Sequence, residues 1–103
     1  MSYKNDVFSI IIKEISFETD IDSSHILYVH KDVDSVDATY ITIRLLYGVG
    51  FYPIAIAKLL HRTARSVNSI LSTFSARYQL YPIMRIQYER IKNRLLVNGI
   101  HVL

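Results

Sequence analysis

Residues 53–71, PIAIAKLLHRTARSVNSIL, contain two short helical patterns separated by a tight turn. Proline suits the first turn of a helix, so Pro53 predicts the start of a helix that runs to Leu60. Thr63 is a good N-cap for a second helix over about 64–77. A short helix, a tight turn and a second helix with a polar outer face form the helix-turn-helix pattern. This stretch therefore predicts both the fold and the position of the functional surface.

Apolar residues at helical spacing indicate how the two helices of this motif pack. We expect the helices to cross closely at Ala57, because a small side chain lets two backbones approach. The second helix carries a continuous apolar stripe, with Arg, Ser, Asn and Thr side chains on its other face. The residues predicted to be buried between the two helices are Ile56, Leu60, Val67 and Ile70, and the stripe continues through Leu71, Phe74 and Tyr78.

The flanking sequence predicts three further helices. The segment from Asp20 to Asp34 is harder to interpret, because its apolar residues 26–29 fit a short helix or an extended segment equally well. Short connections between amphipathic helices favour an all-α orthogonal bundle of about five helices, forming a single domain over residues 1–103. The three helices are predicted from a cap at Asn5 or Asp6 to about Phe17, from a cap at Ser35 to about Tyr47, and from Pro82 to just before Gly99. Residues 10–12 of the first segment would also suit a buried strand.

Tyrosine is abundant in this chain, which has eight of them. Aromatic side chains among basic residues can stack on single-stranded bases. Four of the tyrosines instead lie on apolar stripes of the predicted helices. On the helix before the motif, Tyr40 and Tyr47 share one face with Val36 and Ile43. We therefore predict a packing role in the core for Tyr40, Tyr47, Tyr78 and Tyr88.

The net charge of +3 hides a strong asymmetry along the chain. Residues 1–43 contain three Lys against eight Asp and Glu, which gives −5. Residues 44–103 contain nine Lys and Arg against Glu89 alone, which gives +8, and the two parts recover the total. A basic half that contains the motif favours a polyanionic partner. Two ordinary solvated faces that differ in charge would give the same asymmetry.

The polar face of the second motif helix suits contact with duplex DNA. In a helix-turn-helix the N-terminal residues of this helix enter the major groove, and the first helix crosses the backbone. Arginine can pair with guanine and asparagine with adenine, while hydroxyl groups bond to phosphate or base. We expect Arg65 to contact a base and Arg62, which precedes the cap, to contact the phosphate backbone. The predicted DNA-binding residues are Lys58, Arg62, Thr63, Arg65, Ser66, Asn68 and Ser69.

From about Val7 to Leu95 the chain resembles the C-terminal DNA-binding domain of the bacterial replication initiator DnaA. That family begins its recognition helix with Gly-Arg-Asp-His-Thr-Thr-Val, and residues 61–67 here read HRTARSV. Arg62 and Val67 match the signature and Ser66 is a conservative replacement. Thr63, Ala64 and Arg65 depart from it, and Thr39 replaces a usual Arg. The resemblance implies an all-α fold related to the Trp repressor, duplex-DNA binding, and minor-groove contact by Arg62.

Several chemistries are disfavoured by the residues present. The chain has no Cys, which excludes disulfides, zinc ribbons and thiol catalysis. The histidines do not form a His-Glu-x-x-His motif, and no Gly-rich phosphate loop of the initiator's ATPase module occurs, so we predict no metal, no cofactor and no enzymatic activity. No apolar run is long enough to span a bilayer. We expect a soluble, cytoplasmic protein. The four histidines are His25, His30, His61 and His101.

Two functions of different classes fit the sequence. The first is a sequence-specific duplex-DNA-binding protein that acts as a small regulator or a replication accessory. The alternative is a helical protein–protein interaction module that kept the fold but does not bind DNA. In that case the turn at 48–50 and the basic last helix would face the partner. The pattern leaves open whether the chain forms a homodimer or binds another protein. The basic residues of the last helix are Arg85, Arg90, Lys92 and Arg94.

Overall fold

The computed structural model describes residues 3–28 and 32–103 and is helical through most of both ranges. The predicted all-α class is confirmed. Within these ranges the structure has one helix more than the five predicted, and it lies in the short segment that fitted a helix or an extended conformation equally well. Val29, at the end of that segment, and His30 lie outside the described residues. None of the helices in the described ranges is both long and apolar enough to cross a membrane. The helices are α1 (Tyr3–Thr19), α2 (Ser23–Leu27), α3 (Val33–Gly48), α4 (Pro53–Leu59), α5 (Ala64–Leu80) and α6 (Pro82–Val97).

Helix α3 forms the centre of the fold and packs against all five other helices. Its burial therefore extends around most of its circumference instead of along one stripe, and even Thr42 is fully buried. The predicted single buried face is therefore too narrow. The prediction is also wrong at Tyr47, which is 50% exposed. Of the four tyrosines predicted to lie in the core, only Tyr88 is buried, whereas Tyr40 and Tyr78 are partly buried.

Two predicted helix starts are wrong by about one turn. Helix α3 is capped by Asp32, whose carboxylate accepts a hydrogen bond from the backbone N–H of Ser35 at 3.1 Å. Ser35 itself lies inside the first turn and is buried. Helix α1 already includes Tyr3, so Asn5 and Asp6 are helical residues and not caps. An acidic side chain in the first turn is still favourable there because of the helix dipole.

Asp20 after α1 has a positive φ of 57°, and three other helices combine such a left-handed residue with a closing backbone hydrogen bond. Gly50 follows α3 with φ of 107° and Gly99 follows α6 with φ of 81°. After α4 the same position is occupied by His61, with φ of 54°. The following backbone N–H bonds back into the helix each time, as from Arg62 to the carbonyl of Ala57 at 2.8 Å. This is the Schellman arrangement, which usually requires glycine.

The acidic and basic parts of the chain meet where α1 packs against α6. Arg94 donates to Glu14 and, at 2.8 Å, to Glu18. The guanidinium of Arg90 lies 3.4 Å from the second oxygen of Glu18. Two of the basic residues of the last helix are therefore neutralised within the fold.

Candidate nucleic-acid interface

The helices α4 and α5 form the predicted helix-turn-helix, with the expected residues at their crossing. Ile56 and Val67 are fully buried, Leu60 is nearly so, and the small side chain of Ala57 lies among them. Ile70 is only partly buried, at the edge of the same contact. Because α4 packs mainly on α5 and less on α3, the motif is fixed through this crossing and through the packing of α5 on α3.

The turn of the motif contains a feature that sequence reasoning missed. His61 has a positive φ, which is uncommon for a residue other than glycine and brings a backbone cost. Its imidazole stacks on the ring of Tyr28, with the centroids 4.5 Å apart and the planes within 5° of parallel. The residue after α2 therefore contacts the turn between α4 and α5. No local pattern indicates a contact across such a sequence separation.

Thr63 caps α5, as predicted. Its hydroxyl oxygen accepts a hydrogen bond from the backbone N–H of Ser66 at 3.1 Å, and its carbonyl accepts one from Val67. The first helical residues, Ala64 and Arg65, belong to the turn whose backbone N–H groups have no intrahelical acceptor. These groups and the helix dipole make the N-terminus of α5 positively polarised.

The structure brings the predicted DNA-binding residues to one end of the motif, but it exposes them to different degrees. Five of them are exposed: Lys58 in the last turn of α4, the cap Thr63, and Arg65, Asn68 and Ser69 on α5. The other two, Arg62 and Ser66, are partly buried, so less of each side chain is open to a ligand.

Arg62 links the turn of the motif to the central helix. One of its guanidinium nitrogens, Nη2, lies 3.4 Å from the hydroxyl of Thr39 on α3 and donates to it. Burial lowers the pKa of Arg62 below its usual value, although an arginine remains charged at neutral pH. Part of this guanidinium is therefore held by the protein, and the rest lies beside the cap of α5.

Farther along α5, the exposed side chains include short hydroxyl groups that project little from the helix backbone. Ser72 and Thr73 each donate a hydrogen bond to the carbonyl of Ser69 at 2.9 Å. Since the hydroxyl hydrogen of Thr73 is used in this way, Tyr40 is the donor in the 3.1 Å contact between their two hydroxyl groups. This face therefore offers oxygen acceptors close to the helix backbone, which suits a close approach to another surface.

The electrostatics of the motif follow from where the carboxylates are. Residues 38–88 contain no Asp or Glu, and this range covers the whole motif. Of the two arginines on α5, Arg77 pairs with Asp37 at 2.7 Å. Within residues 3–28 and 32–103, Lys58 and Arg65 take part in no ion pair. The positive charge that the fold leaves uncompensated therefore includes the N-terminal end of α5.

A groove of about 780 Å³ lies beside α5, between the end of α3 and the start of α4. Asn68 and Ser72 of α5 line it together with Tyr47 and Tyr52. Both tyrosines are largely exposed, at 50% and 75%. The sequence did not indicate that these two tyrosines lie next to α5, because the contact depends on how α3 and α4 pack against it.

No protein-family model, no curated protein and no solved structure matches this chain. Within the residues that the structure describes, no three His, Asp or Glu side chains converge where they could hold a metal ion.

Proposed function

We propose that this protein binds duplex DNA in a sequence-specific way through the helix-turn-helix formed by α4 and α5, as a small regulator or a replication accessory. One observation carries the proposal. The exposed end of α5 combines a positively polarised helix N-terminus, the unpaired Lys58 and Arg65 nearby, and a long stretch of chain without any carboxylate. DNA phosphates are attracted to such a surface, and a smooth polar helix face can enter the major groove.

In this proposal the residues divide between backbone contacts and base contacts. Lys58, on the last turn of α4, and Arg62, at the edge of the turn, neutralise phosphates. The hydroxyl hydrogen of Thr63 is free to donate to a phosphate oxygen, since its oxygen serves as the acceptor in the cap. Arg65 and Asn68, exposed on the first turns of α5, face base edges and supply the sequence preference.

Two substitutions within the signature support the resemblance to the DnaA DNA-binding domain. The signature has Gly where this chain has His61, and His61 holds the positive φ that a glycine would adopt without strain. It has Asp where this chain has Thr63, and both residue types are favoured N-caps. The two departures therefore fill the same backbone roles with different side chains. We infer that the chain is a DnaA-like DNA-binding domain.

Selection of random duplex DNA by the purified protein, read by sequencing, tests the proposal directly. The enriched site is then titrated with the protein at several salt concentrations. Its affinity should fall steeply as the salt concentration rises. Phosphate contacts by Lys58 and Arg62 would give a slope of roughly −2 in log affinity against log salt. Lys58→Ala should reduce the slope by about one, whereas the matched control Lys13→Ala, on the exposed face of α1, should leave it unchanged. Failure to bind at low salt would contradict the proposal.

The second candidate function is a protein–protein interaction module. It is favoured by the outer face of α6, on which Ile83, Ile86 and Val97 are exposed. The selection experiment distinguishes the two candidate functions. A protein that acts only as an interaction module would show neither an enriched DNA motif nor a salt-dependent affinity for duplex DNA.

A further inference from the structure

The turn between α4 and α5 contains a residue in an unfavourable backbone conformation. His61 has a φ of 54°, in the left-handed region that glycine adopts freely and other residues adopt at a cost. The equivalent positions after α3 and α6 are both glycines, Gly50 and Gly99. Backbone strain of this kind persists only where the surrounding structure holds it, and such strain is concentrated at functional sites. The contacts that hold His61 are therefore part of how the motif is built.

The ring of Tyr28 stacks on the imidazole of His61. The two ring centroids are 4.5 Å apart and the planes are within 5° of parallel. Both side chains are exposed, so burial in the core does not fix the conformation of His61. An aromatic pair of this kind contributes stability beyond the area that it buries. The stack thus favours the strained conformation of the turn over its alternatives.

Tyr28 is itself connected to the core through α2. Ile26, two residues earlier, is 3% exposed, and α2 packs against both α1 and α3. The chain leaves α2 at Tyr28 in an extended conformation. The stack therefore joins a helix that lies outside the motif to the turn inside the motif.

The conformation of His61 determines where the next two residues lie. The backbone N–H of Arg62 donates to the carbonyl of Ala57 at 2.8 Å, and this hydrogen bond closes the turn. The guanidinium of Arg62 donates to Thr39 at 3.4 Å, and Thr63 caps α5. A different φ at His61 would displace both Arg62 and Thr63. Two residues that we assign to DNA contact therefore depend on this turn.

We propose that Tyr28 is a positioning residue for the DNA-binding motif. Its ring holds His61 in the left-handed conformation, and the turn then keeps Arg62 and Thr63 in place at the start of α5. This role rests on the proposed function, but the effect of the ring on the turn is present without DNA. A glycine at position 61 would remove the need for the ring, because glycine adopts a positive φ without strain.

Amide hydrogen exchange of the full chain, followed by NMR without DNA, tests the effect on the turn. Tyr28→Ala should raise the exchange rate of the Arg62 N–H by roughly three- to tenfold, as expected for the loss of an aromatic pair. The N–H groups of Phe51 and Ile100 close the glycine turns after α3 and α6 in the same way, and their rates should not change. Tyr28→Phe, which keeps a ring, should exchange as wild type does. An unchanged rate at Arg62, or an equal rise at all three N–H groups, would overturn the proposal.

The variant His61→Gly shows whether Tyr28 acts through His61. In this background the turn carries no strain, so adding Tyr28→Ala should leave the exchange rate of the Arg62 N–H unchanged. A rise as large as in the wild-type background would show that the ring acts by another route, and it would overturn the proposal.

Affinity for the selected duplex measures the consequence for DNA binding. Tyr28→Ala should weaken binding by roughly two- to tenfold, because the bound state must then hold the strained turn without the ring. Tyr28→Phe should bind as wild type does, and Tyr28→Ala should have no effect in the His61→Gly background. The matched control Phe17→Ala removes an exposed ring beside α6 and should leave the affinity unchanged.

The two measurements distinguish failure of this inference from failure of the proposed function. If wild type binds no duplex but the exchange rates change as expected, the proposed function is wrong and the effect of Tyr28 on the turn stands. If wild type binds its selected site and Tyr28→Ala binds it equally well, Tyr28 has no positioning role in DNA binding.

Discussion

Asp37 of α3 and Arg77 of α5 form an ion pair that holds α5 on the central helix of the fold. Both Nε and Nη2 of Arg77 donate to the same carboxylate oxygen, at 3.1 and 2.7 Å. The guanidinium also lies 4.7 Å from the ring centre of Tyr40 and 4.5 Å from that of Tyr81. One arginine thus joins the start of α3, the last turns of α5 and the residue between α5 and α6. Its position fixes the orientation of α5 relative to the rest of the domain.

Removing the carboxylate should destabilise the domain measurably. The side chains of Asp37 and Arg77 are only 11% and 19% exposed, so Asp37→Ala leaves a largely buried guanidinium without its partner. We expect a loss of about 2–3 kcal/mol in the free energy of unfolding, somewhat less than for a fully buried pair. Asp34→Ala, at an exposed position in the first turn of the same helix, should cost less than about 1 kcal/mol. Urea unfolding of both variants makes the comparison, and equal losses would show that the ion pair contributes nothing specific.

Two tyrosines should make the fold sensitive to alkali. A hydrogen bond to Glu89, at 2.7 Å, raises the pKa of Tyr78, and burial raises the pKa of Tyr88. A raised pKa in the folded state means that the stabilisation is complete below the ordinary tyrosine value of about 10. It is then lost as the pH rises through the folded-state pKa values. The free energy of unfolding should therefore fall above about pH 10.

Tyr78→Phe and Glu89→Gln separate this effect from general alkaline damage. Tyr78→Phe removes the titrating hydroxyl and Glu89→Gln removes the negative charge beside it, so stability should fall less steeply above about pH 10 than in wild type. The measurement is urea unfolding at a series of pH values, with tyrosinate absorbance as an independent record of the titration. If the slopes of both variants equal that of wild type, Tyr78 is not the group responsible.

Val67→Asp should unfold the domain. Val67 is fully buried where α4 and α5 cross, and an unpaired carboxylate there costs several kcal/mol, which is a large part of the stability of a small domain. We expect no cooperative thermal transition for this variant. A melt close to that of wild type would contradict the observed packing.

Ser69→Asp is the matched change on the outer side of the same helix. Ser69 is exposed, so the variant should fold with a free energy of unfolding within about 1 kcal/mol of wild type. On the proposed DNA-binding face, however, the new carboxylate faces phosphates and bases and should weaken duplex binding strongly. A folded Ser69→Asp protein with unchanged affinity for its selected site would place the DNA contacts elsewhere.

The sequence predicted the elements whose signals are local. Pro53, Thr63 and Pro82 mark helix starts through their own backbone chemistry, and the structure begins helices at or next to each of them. The cap of α3 was wrongly predicted at Ser35. Asp32, three residues earlier, is an equally favoured type of cap residue, and it caps the helix in the structure. Tyr47 was wrongly predicted to be buried. Because α3 packs against other helices on most sides, the spacing of its apolar residues does not show which side stays exposed to solvent.

The residues of the candidate site could be predicted from the sequence, but the contacts that hold them in place could not. The motif and its exposed polar face can be read from helical periodicity. The stack of His61 on Tyr28 and the bond of Arg62 to Thr39 join residues that are far apart in sequence. Such contacts depend on how whole helices pack, and one sequence contains no periodic signal for them. For the same reason, the neutralisation of Arg90 and Arg94 by α1 was not foreseen.

Arg65 and Arg62 should behave differently when each is replaced by alanine. Arg65 is exposed in the first turn of α5, two residues after the cap, where a side chain can reach a base edge in the major groove. Arg65→Ala should cost about 1–3 kcal/mol on the selected site and relax the preference at one or two base pairs. Arg62 precedes the cap and is partly held by Thr39. Its replacement should weaken binding to all duplexes evenly and reduce the salt slope by about one.

The comparison requires both variants to be titrated against the selected site and a scrambled duplex, after unfolding measurements. Arg62→Ala also removes the bond to Thr39, so it should lose about 0.5–1.5 kcal/mol of stability, while Arg65→Ala should lose almost none. At temperatures where both variants are fully folded, the ratio of the two affinities isolates base recognition. A ratio that falls towards one for Arg65→Ala and stays at the wild-type value for Arg62→Ala supports the assignment. Equal losses on both duplexes for Arg65→Ala would show that Arg65 contacts only the backbone.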